Sequence, residues 1–141
     1  MLIETDILTA IIKEKDWLKP YATEIVKAAE EGKLKLTASR EAIHELYYIA
    51  KKYEIPAEEY LEKVVALTNI EGIEWIPTDI DIDLTALALI TEYGLTSIFD
   101  AYHAATALLR DPHKTIISTD TAYDKITGLS RVDPRDLTKI I

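Results

Sequence analysis

Short runs of apolar and β-branched residues recur along this chain, most of them followed by a longer stretch with apolar residues at helical spacing. The runs lie at Met1–Thr5, Leu34–Thr37, Ile73–Ile76, Thr115–Ser118 and Ser130–Val132. Helical periodicity covers residues 7–15, 21–31, 39–53, 57–68, 84–93 and 97–109, and a short helical turn fits residues 122–126. The punctuation agrees. Gly32 and Gly94 stand where helices stop, Pro56 and Pro77 close a helix and a strand, and Ser97 precedes an apolar helix as an N-cap. Strands separated by helices pair in parallel, and a sheet built that way is covered by helices on both faces. The expected fold is α/β: a single-domain three-layer sandwich over residues 1–141, with a central, short, mostly parallel sheet flanked by helices. In such sheets ligands bind beyond the carboxyl ends of the strands.

Composition narrows what that fold can do. The 141 residues suffice for one core and hardly for two. No apolar run approaches the ~20 residues that span a bilayer, and the N-terminus lacks the basic-then-apolar layout of a secretion signal. The expected location is the cytoplasm, with no membrane partner. Cys is absent, which excludes disulfides, thiolate zinc sites and thiol nucleophiles, and three scattered His argue against an imidazole-rich metal site. A net charge of −9 argues against a protein that holds nucleic acid on a broad basic surface. It still permits an enzyme that meets a phosphate chain through divalent cations, because four or five clustered carboxylates would make up about half of the excess.

The acids that matter sit in apolar company. Asp100 lies within Ser97-Ile98-Phe99-Asp100-Ala101-Tyr102, and Asp120 follows Ile116-Ile117-Ser118-Thr119. A carboxylate in apolar surroundings costs several kcal/mol unless something pairs with it, and neither stretch offers a basic partner within a helical turn. Glu4 and Asp6 stand at the end of the first strand, two residues apart and so on one face. The alternative for Asp6 is the N-cap of the next helix. Glu41 and Glu45 are one turn apart on the third helix, with Glu45 beside the apolar stripe and Glu41 suited to the first turn. Asp100 has a rival role in a capping box with Ser97, and Asp120 one as a turn residue or N-cap. Asp124, one turn later, is a weaker candidate. Ser118 shares a side with Asp120 and can donate to a carboxylate or phosphate oxygen. His44 and His103 read as helix residues at a groove edge, His113 as a loop residue, and Tyr47, Tyr48 and Tyr53 as helix packing.

In chain order this is an acid at the end of strand one, an acid in a middle helix, an acid near a helix start and an acid after a later strand. That order resembles the PIN-domain family of metal-dependent ribonucleases, over essentially the whole chain. Phe99-Asp100-Ala101-Tyr102-His103-Ala104-Ala105-Thr106-Ala107 is similar to the family's Asp-Ala-x-x-Ala-Ala-x-Ala helix, and Ser118-Thr119-Asp120-Thr121-Ala122-Tyr123 to its Thr-x-Asp-x-Asp-Phe. Ser39 to Leu46 fits the helix that supplies the second acid, placed on Glu45. Glu4-Thr5-Asp6 stands where the family has Asp-Thr-Asn or Asp-Ser-Asn, so that Glu4 takes the place of the acid and Asp6 that of the amide; the second Asp of the last motif is replaced by Ala122.

The resemblance implies an endoribonuclease that hydrolyses RNA phosphodiesters with Mg²⁺ or Mn²⁺, leaving a 5′-phosphate and a 3′-hydroxyl. It implies Asp6, Glu45, Asp100 and Asp120 as catalytic residues, metal ligands drawn from Glu4, Asp6, Glu45, Asp100 and Asp120, and Ser118 in support. Small stand-alone members of similar size are VapC-type toxins, usually homodimers held inactive by an antitoxin peptide, so an antitoxin and a second copy are the expected partners. Two other classes compete. One is a catalytically inactive PIN-like module that binds protein, to which Glu4 in place of Asp lends weight. The other is a phosphoacceptor domain, which needs a Lys after a late strand; Lys114 instead precedes its strand and Lys125 lies in a helical turn.

Overall fold

A computed structural model describes residues 1–141. Its five strands, β1 (Leu2–Ile3), β2 (Leu36–Ser39), β3 (Ile73–Ile76), β4 (Thr115–Ile117) and β5 (Ser130–Val132), form one sheet in the order β3-β2-β1-β4-β5. Every neighbouring pair is parallel. Helices α1 (Thr5–Ile12) and α2 (Lys19–Glu30) return the chain from β1 to β2, α3 (Glu41–Lys52) and α4 (Ala57–Thr68) from β2 to β3, and α5 (Ile80–Tyr93) and α6 (Ile98–Arg110) from β3 to β4. A 3-10 turn, Thr121–Lys125, leads to β5, and α7 (Pro134–Leu137) follows it.

The two-residue period of the strands sorts the core onto the two faces. Leu2 pairs with Ile116 and Ile3 with Ile117. Leu2 and Ile116 join Ile82, Ala86, Ala104 and Tyr123 under α5 and α6. Ile3 and Ile117 join Ile7, Leu8, Ile25 and Leu46 on the opposite face. All four strand residues are fully buried, each side chain contributing ~1.5–3 kcal/mol on transfer from water. Buried Ala101, Ala104, Ala105 and Ala107 make α6 slim enough to lie tight against the sheet.

Several boundaries differ from the sequence expectation, for local reasons. Helix α1 starts at Thr5, not at residue 7, because Glu4 is its N-cap and accepts from the Asp6 amide at 3.2 Å. Asp6 is thus neither at a strand end nor an N-cap; it lies in the first helical turn. Strand β2 falls two residues later than the alternation of residues 34–37 indicated. Its register is set by neighbours: the Leu36 amide bonds the Gly72 carbonyl and the Thr37 amide that of Met1. Helix α5 begins at Ile80, a turn earlier than expected, since Asp79 caps it by accepting from the Ile82 amide at 3.0 Å. Asp81 and Asp83 lie in its first turn, where acids suit the positive end of the helix. Helix α7 was not anticipated, though Asp133 caps it and Pro134 opens it. No single helix is long and apolar enough to cross a membrane.

Chain connection leaves β1 toward β2 on one side, while β4 pairs with β1 on the other. Beyond the carboxyl ends of β1 and β4 lies the switch point where an open parallel sheet forms its crevice. Glu4 follows β1 there, and Ser118-Thr119-Asp120 follows β4.

Candidate active site

Four elements aim acids at this crevice. Glu4 leaves β1 directly, Glu45 comes from the second turn of α3, Asp100 from the first turn of α6, and Asp120 from the loop after β4. Glu4 is 6% exposed. Its Oε2 accepts from the Asp6 amide at 3.2 Å and from the Ser118 hydroxyl at 3.3 Å. Burial, then the negative charges of Asp6 and Glu45, pushes the Glu4 carboxyl well above its ordinary value. Ser118 also accepts from the Asp120 amide at 3.0 Å, so one hydroxyl links the acid after β1 to the backbone of the acid after β4.

His103 is at the centre of the cluster, not at a groove edge, and is wholly inaccessible to solvent. Its Nε2 lies 2.9 Å from Glu45 Oε1, 2.8 Å from Thr5 Oγ1 and 3.8 Å from Glu4 Oε1. The carboxylates of Glu4 and Glu45 and the imidazole of His103 thus gather within 4.8 Å of one another. Burial pushes the Glu45 carboxyl up, but hydrogen bonds from His103 and Thr5 outweigh it, and the net displacement is downward. Sequence reasoning missed His103. The available signal was its position three residues after Asp100, on the same face of an otherwise alanine-rich buried helix.

Asp100 does not reach back to the helix cap as a capping box would. Ser97 caps α6 alone, accepting from the Phe99 amide at 3.2 Å, and Asp100 Oδ1 instead accepts from the Tyr123 hydroxyl at 3.3 Å. Burial raises the Asp100 carboxyl, the charges of Glu45 and Asp120 add to this, and His103 and Tyr123 oppose it. The buried Tyr123 phenol is pushed far above its ordinary value by burial and by the charges of Glu4, Asp100, Glu45 and Asp120. It therefore stays protonated and acts as a donor among the four acids. Tyr123 replaces a family Phe, and its hydroxyl is a polar group that the motif alone did not single out.

Asp6, Glu41 and Asp124 lie outside this group, and Asp120 stands at its exposed rim. Asp6 sits beside Glu4, but its Oδ2 accepts from the Thr119 amide at 2.9 Å and the Thr119 hydroxyl at 2.7 Å, which pins the loop after β4. Asp120 is exposed and also caps the 3-10 turn, accepting from the Ala122 amide at 2.8 Å. Glu41 is taken by Thr78 at 3.0 Å and His44 at 2.9 Å. Asp124 forms a two-bond pair with Arg131, at 2.8 and 3.2 Å. Tyr47, Tyr48 and Tyr53 are exposed, Tyr48 to 62%, yet Tyr47 packs edge-on against Tyr60 of α4 and Tyr48 against Phe99 of α6.

No Lys or Arg forms an ion pair with Glu4, Glu45, Asp100 or Asp120. Hard oxygen donors with no Lys or Arg beside them, two of them carboxyls held above their ordinary range, suit a divalent ion of the Mg²⁺ or Mn²⁺ type. The donor set fits the group that the family resemblance implies.

Comparison with known proteins agrees with the fold and the motifs. The PIN domain family model matches residues 1–129. Among solved structures, a chain of a toxin–antitoxin complex from Klebsiella pneumoniae is 27% identical, with a TM-score of 0.64 over 94% of this chain and 96% of that one. A chain of VapBC2 from Rickettsia felis, bound to a DNA fragment from their promoter, superposes with a TM-score of 0.71 at 16% identity, covering 93% and 96%. VapC20 from Mycobacterium tuberculosis, a toxin that cleaves the sarcin–ricin loop, gives 0.66 at 11% identity, covering 85% and 89%. The last two share the fold. A comparison with curated proteins gives no match. By its motifs, its parallel sheet and a family match over most of its length, the chain belongs to the PIN domain family.

Proposed function

We propose that this chain is a divalent-metal-dependent endoribonuclease and the toxin of a toxin–antitoxin pair. The observation that carries the reading is the meeting of Glu4, Glu45, Asp100 and Asp120 at the β1/β4 switch point without a Lys or Arg among them. Asp100 and Asp120 hold the principal ion, and Glu4 and Glu45 complete the site. Mg²⁺ or Mn²⁺ bound there supplies positive charge that acidifies water and offsets charge on the attacked phosphate. Asp6 works as an anchor for Thr119 in place of the family's amide, which leaves Glu4 as the acid of the first motif. Ser118 and Tyr123 keep Glu4 and Asp100 in place as neutral donors. With a net charge of −9 the chain gains little from phosphate contacts at large, so its hold on RNA is concentrated at this site.

The toxin assignment rests on the family and on the toxin–antitoxin complexes among its structural relatives. An acidic toxin is complementary to a small basic antitoxin. A homodimer in the cytoplasm completes the proposal. Glu4 in place of Asp favours one second reading, a PIN-like module that binds protein without cleaving RNA.

Cleavage of structured RNA with Mg²⁺ or Mn²⁺, wild type against Asp100→Asn, tests the assignment. The variant is expected to lose nearly all activity. It should also be at least as stable as wild type without metal, because Asp100 carries a raised carboxyl. Equal activity in the two proteins would end the role of Asp100. A wild-type melting temperature indifferent to both ions would favour the binding module.

A further inference from the structure

We propose that His103 is a positioning residue that fixes Glu45 for metal binding. This rests on the metal-site reading above and adds a residue outside the acid motifs. The imidazole is fully buried in α6, one turn after Asp100, and its Nε2 meets Glu45 Oε1 of α3 at 2.9 Å and Thr5 Oγ1 of α1 at 2.8 Å. One ring therefore ties together three elements that each carry or adjoin an acid of the site. Glu45 Oε1 is an acceptor, so Nε2 must carry hydrogen; a lone pair there would face another lone pair. Nδ1 is buried without a partner. An idle acceptor on that side is tolerated better than an idle donor, which again puts the hydrogen on Nε2.

The consequence is directional. Nε2–H holds Oε1 and leaves Glu45 Oε2 without a hydrogen-bond partner, the one oxygen of this side chain free to meet a cation. A Glu side chain has three rotatable bonds, and a long acid among other acids swings away from them unless a donor holds it. Thr5 closes the clamp from α1, since its Oγ1 lies 2.8 Å from the same Nε2 and keeps the ring from turning away from Glu45. Outer hydrogen-bond partners of metal ligands typically change metal affinity or activity by about 10–100-fold when removed.

Two amides separate this role from simple burial. Gln at position 103 can carry its amide nitrogen to the Nε2 position, whereas the shorter Asn reaches only the Nδ1 position. Mn²⁺ dissociation constants are measured by calorimetry for wild type, His103→Gln and His103→Asn, with RNA turnover recorded at saturating Mn²⁺. His103→Gln is expected to bind Mn²⁺ within a few-fold of wild type. His103→Asn is expected to bind about 10–100-fold more weakly and to lose kcat with little change in KM for RNA. Should His103→Asn fail to fold, Thr5→Val removes the other arm of the clamp and is expected to weaken Mn²⁺ binding in the same direction. Mn²⁺ affinity equal to wild type in His103→Asn, or in Thr5→Val where that variant stands in, would overturn the role. So would a His103→Gln variant as weak as His103→Asn. A wild-type protein that binds no Mn²⁺ would overturn the metal-site reading itself, and this inference with it.

Discussion

Replacing Glu4 by Gln in the metal-free protein isolates the electrostatic load that the site places on the fold. The Glu4 carboxyl is held well above its ordinary value of 4.5 by burial and then by Asp6 and Glu45. A raised folded-state pKa means that the folded chain binds this proton more tightly than the unfolded chain does. Stability from this group is therefore complete below pH 4.5 and declines as pH climbs through the window above it. The decline has a ceiling, because the worst case at pH 7 is a carboxyl that simply stays protonated. At ~1.36 kcal/mol per pH unit, over about 2.5 units between 4.5 and 7, that ceiling is ~3.4 kcal/mol. Gln keeps the shape, does not titrate and still accepts from Ser118 and the Asp6 amide, at the loss of about 1 kcal/mol if its NH₂ finds no partner. The net expectation at pH 7 is a gain of ~1–3 kcal/mol. For a chain of 141 residues, at ~3 °C per kcal/mol, this is ~3–9 °C in melting temperature. The assay is thermal unfolding with EDTA at pH 4.5 and pH 7. Glu4→Gln should match or fall slightly below wild type at the lower pH and exceed it at the higher. An offset between the two proteins that is the same at both pH values would refute the reasoning.

Two further substitutions probe the scaffold around the site. Arg131 donates to the Ser118 carbonyl at 3.0 Å while paired with Asp124, so Arg131→Met frees the loop that carries Asp120. It should lower RNA turnover at saturating Mn²⁺ and cost ~1 kcal/mol, ~3 °C by calorimetry; unchanged turnover would show that the loop holds its shape without the guanidinium. Gly72 adopts φ +87°, and a Cβ there would lie 2.5 Å from the Ala29 carbonyl oxygen. Gly72→Ala should therefore cost ~2–4 kcal/mol, seen as a drop of ~6–12 °C in melting temperature.

The layered architecture was legible because its signals are local. Leu2-Ile3 and Ile116-Ile117 are strand-forming by themselves, and local signals mark several helix ends between them, Pro56 before α4, Gly94 after α5 and Ser97 before α6. Boundaries shifted where capping went to an unusual residue, Glu4, where an ordinary cap, Asp79, was passed over, and where distant strands chose the register, as for β2. Among the acids, Asp100 stood out by its apolar neighbours and Asp120 by following a buried strand. The choice between Glu4 and Asp6 was invisible, since it depends on a helix that starts at Thr5 and turns Asp6 toward Thr119. His103 was misjudged because its meaning lies in partners 98 and 58 residues away in the chain, which only the packing of α6 against α1 and α3 brings together.

The distribution of cations says something the motifs do not. The chain has 16 Lys and Arg against 25 acids, enough to neutralise a four-acid pocket had the fold placed them there. They are spent elsewhere: Arg110 on Asp79, Arg131 on Asp124, Arg135 on Asp133, Lys33 on Glu31. Arg131 even reaches the Ser118 carbonyl, two residues before Asp120, yet turns its charge outward to Asp124. Neutral groups occupy the hydrogen-bonding positions inside: the Ser118 and Thr119 hydroxyls, the Tyr123 phenol and the backbone amides of Asp6 and Thr119. A built-in Lys or Arg would have quenched the pocket permanently. Donors that carry no full charge hold the acids in position and leave their negative charge for an exchangeable cation to balance.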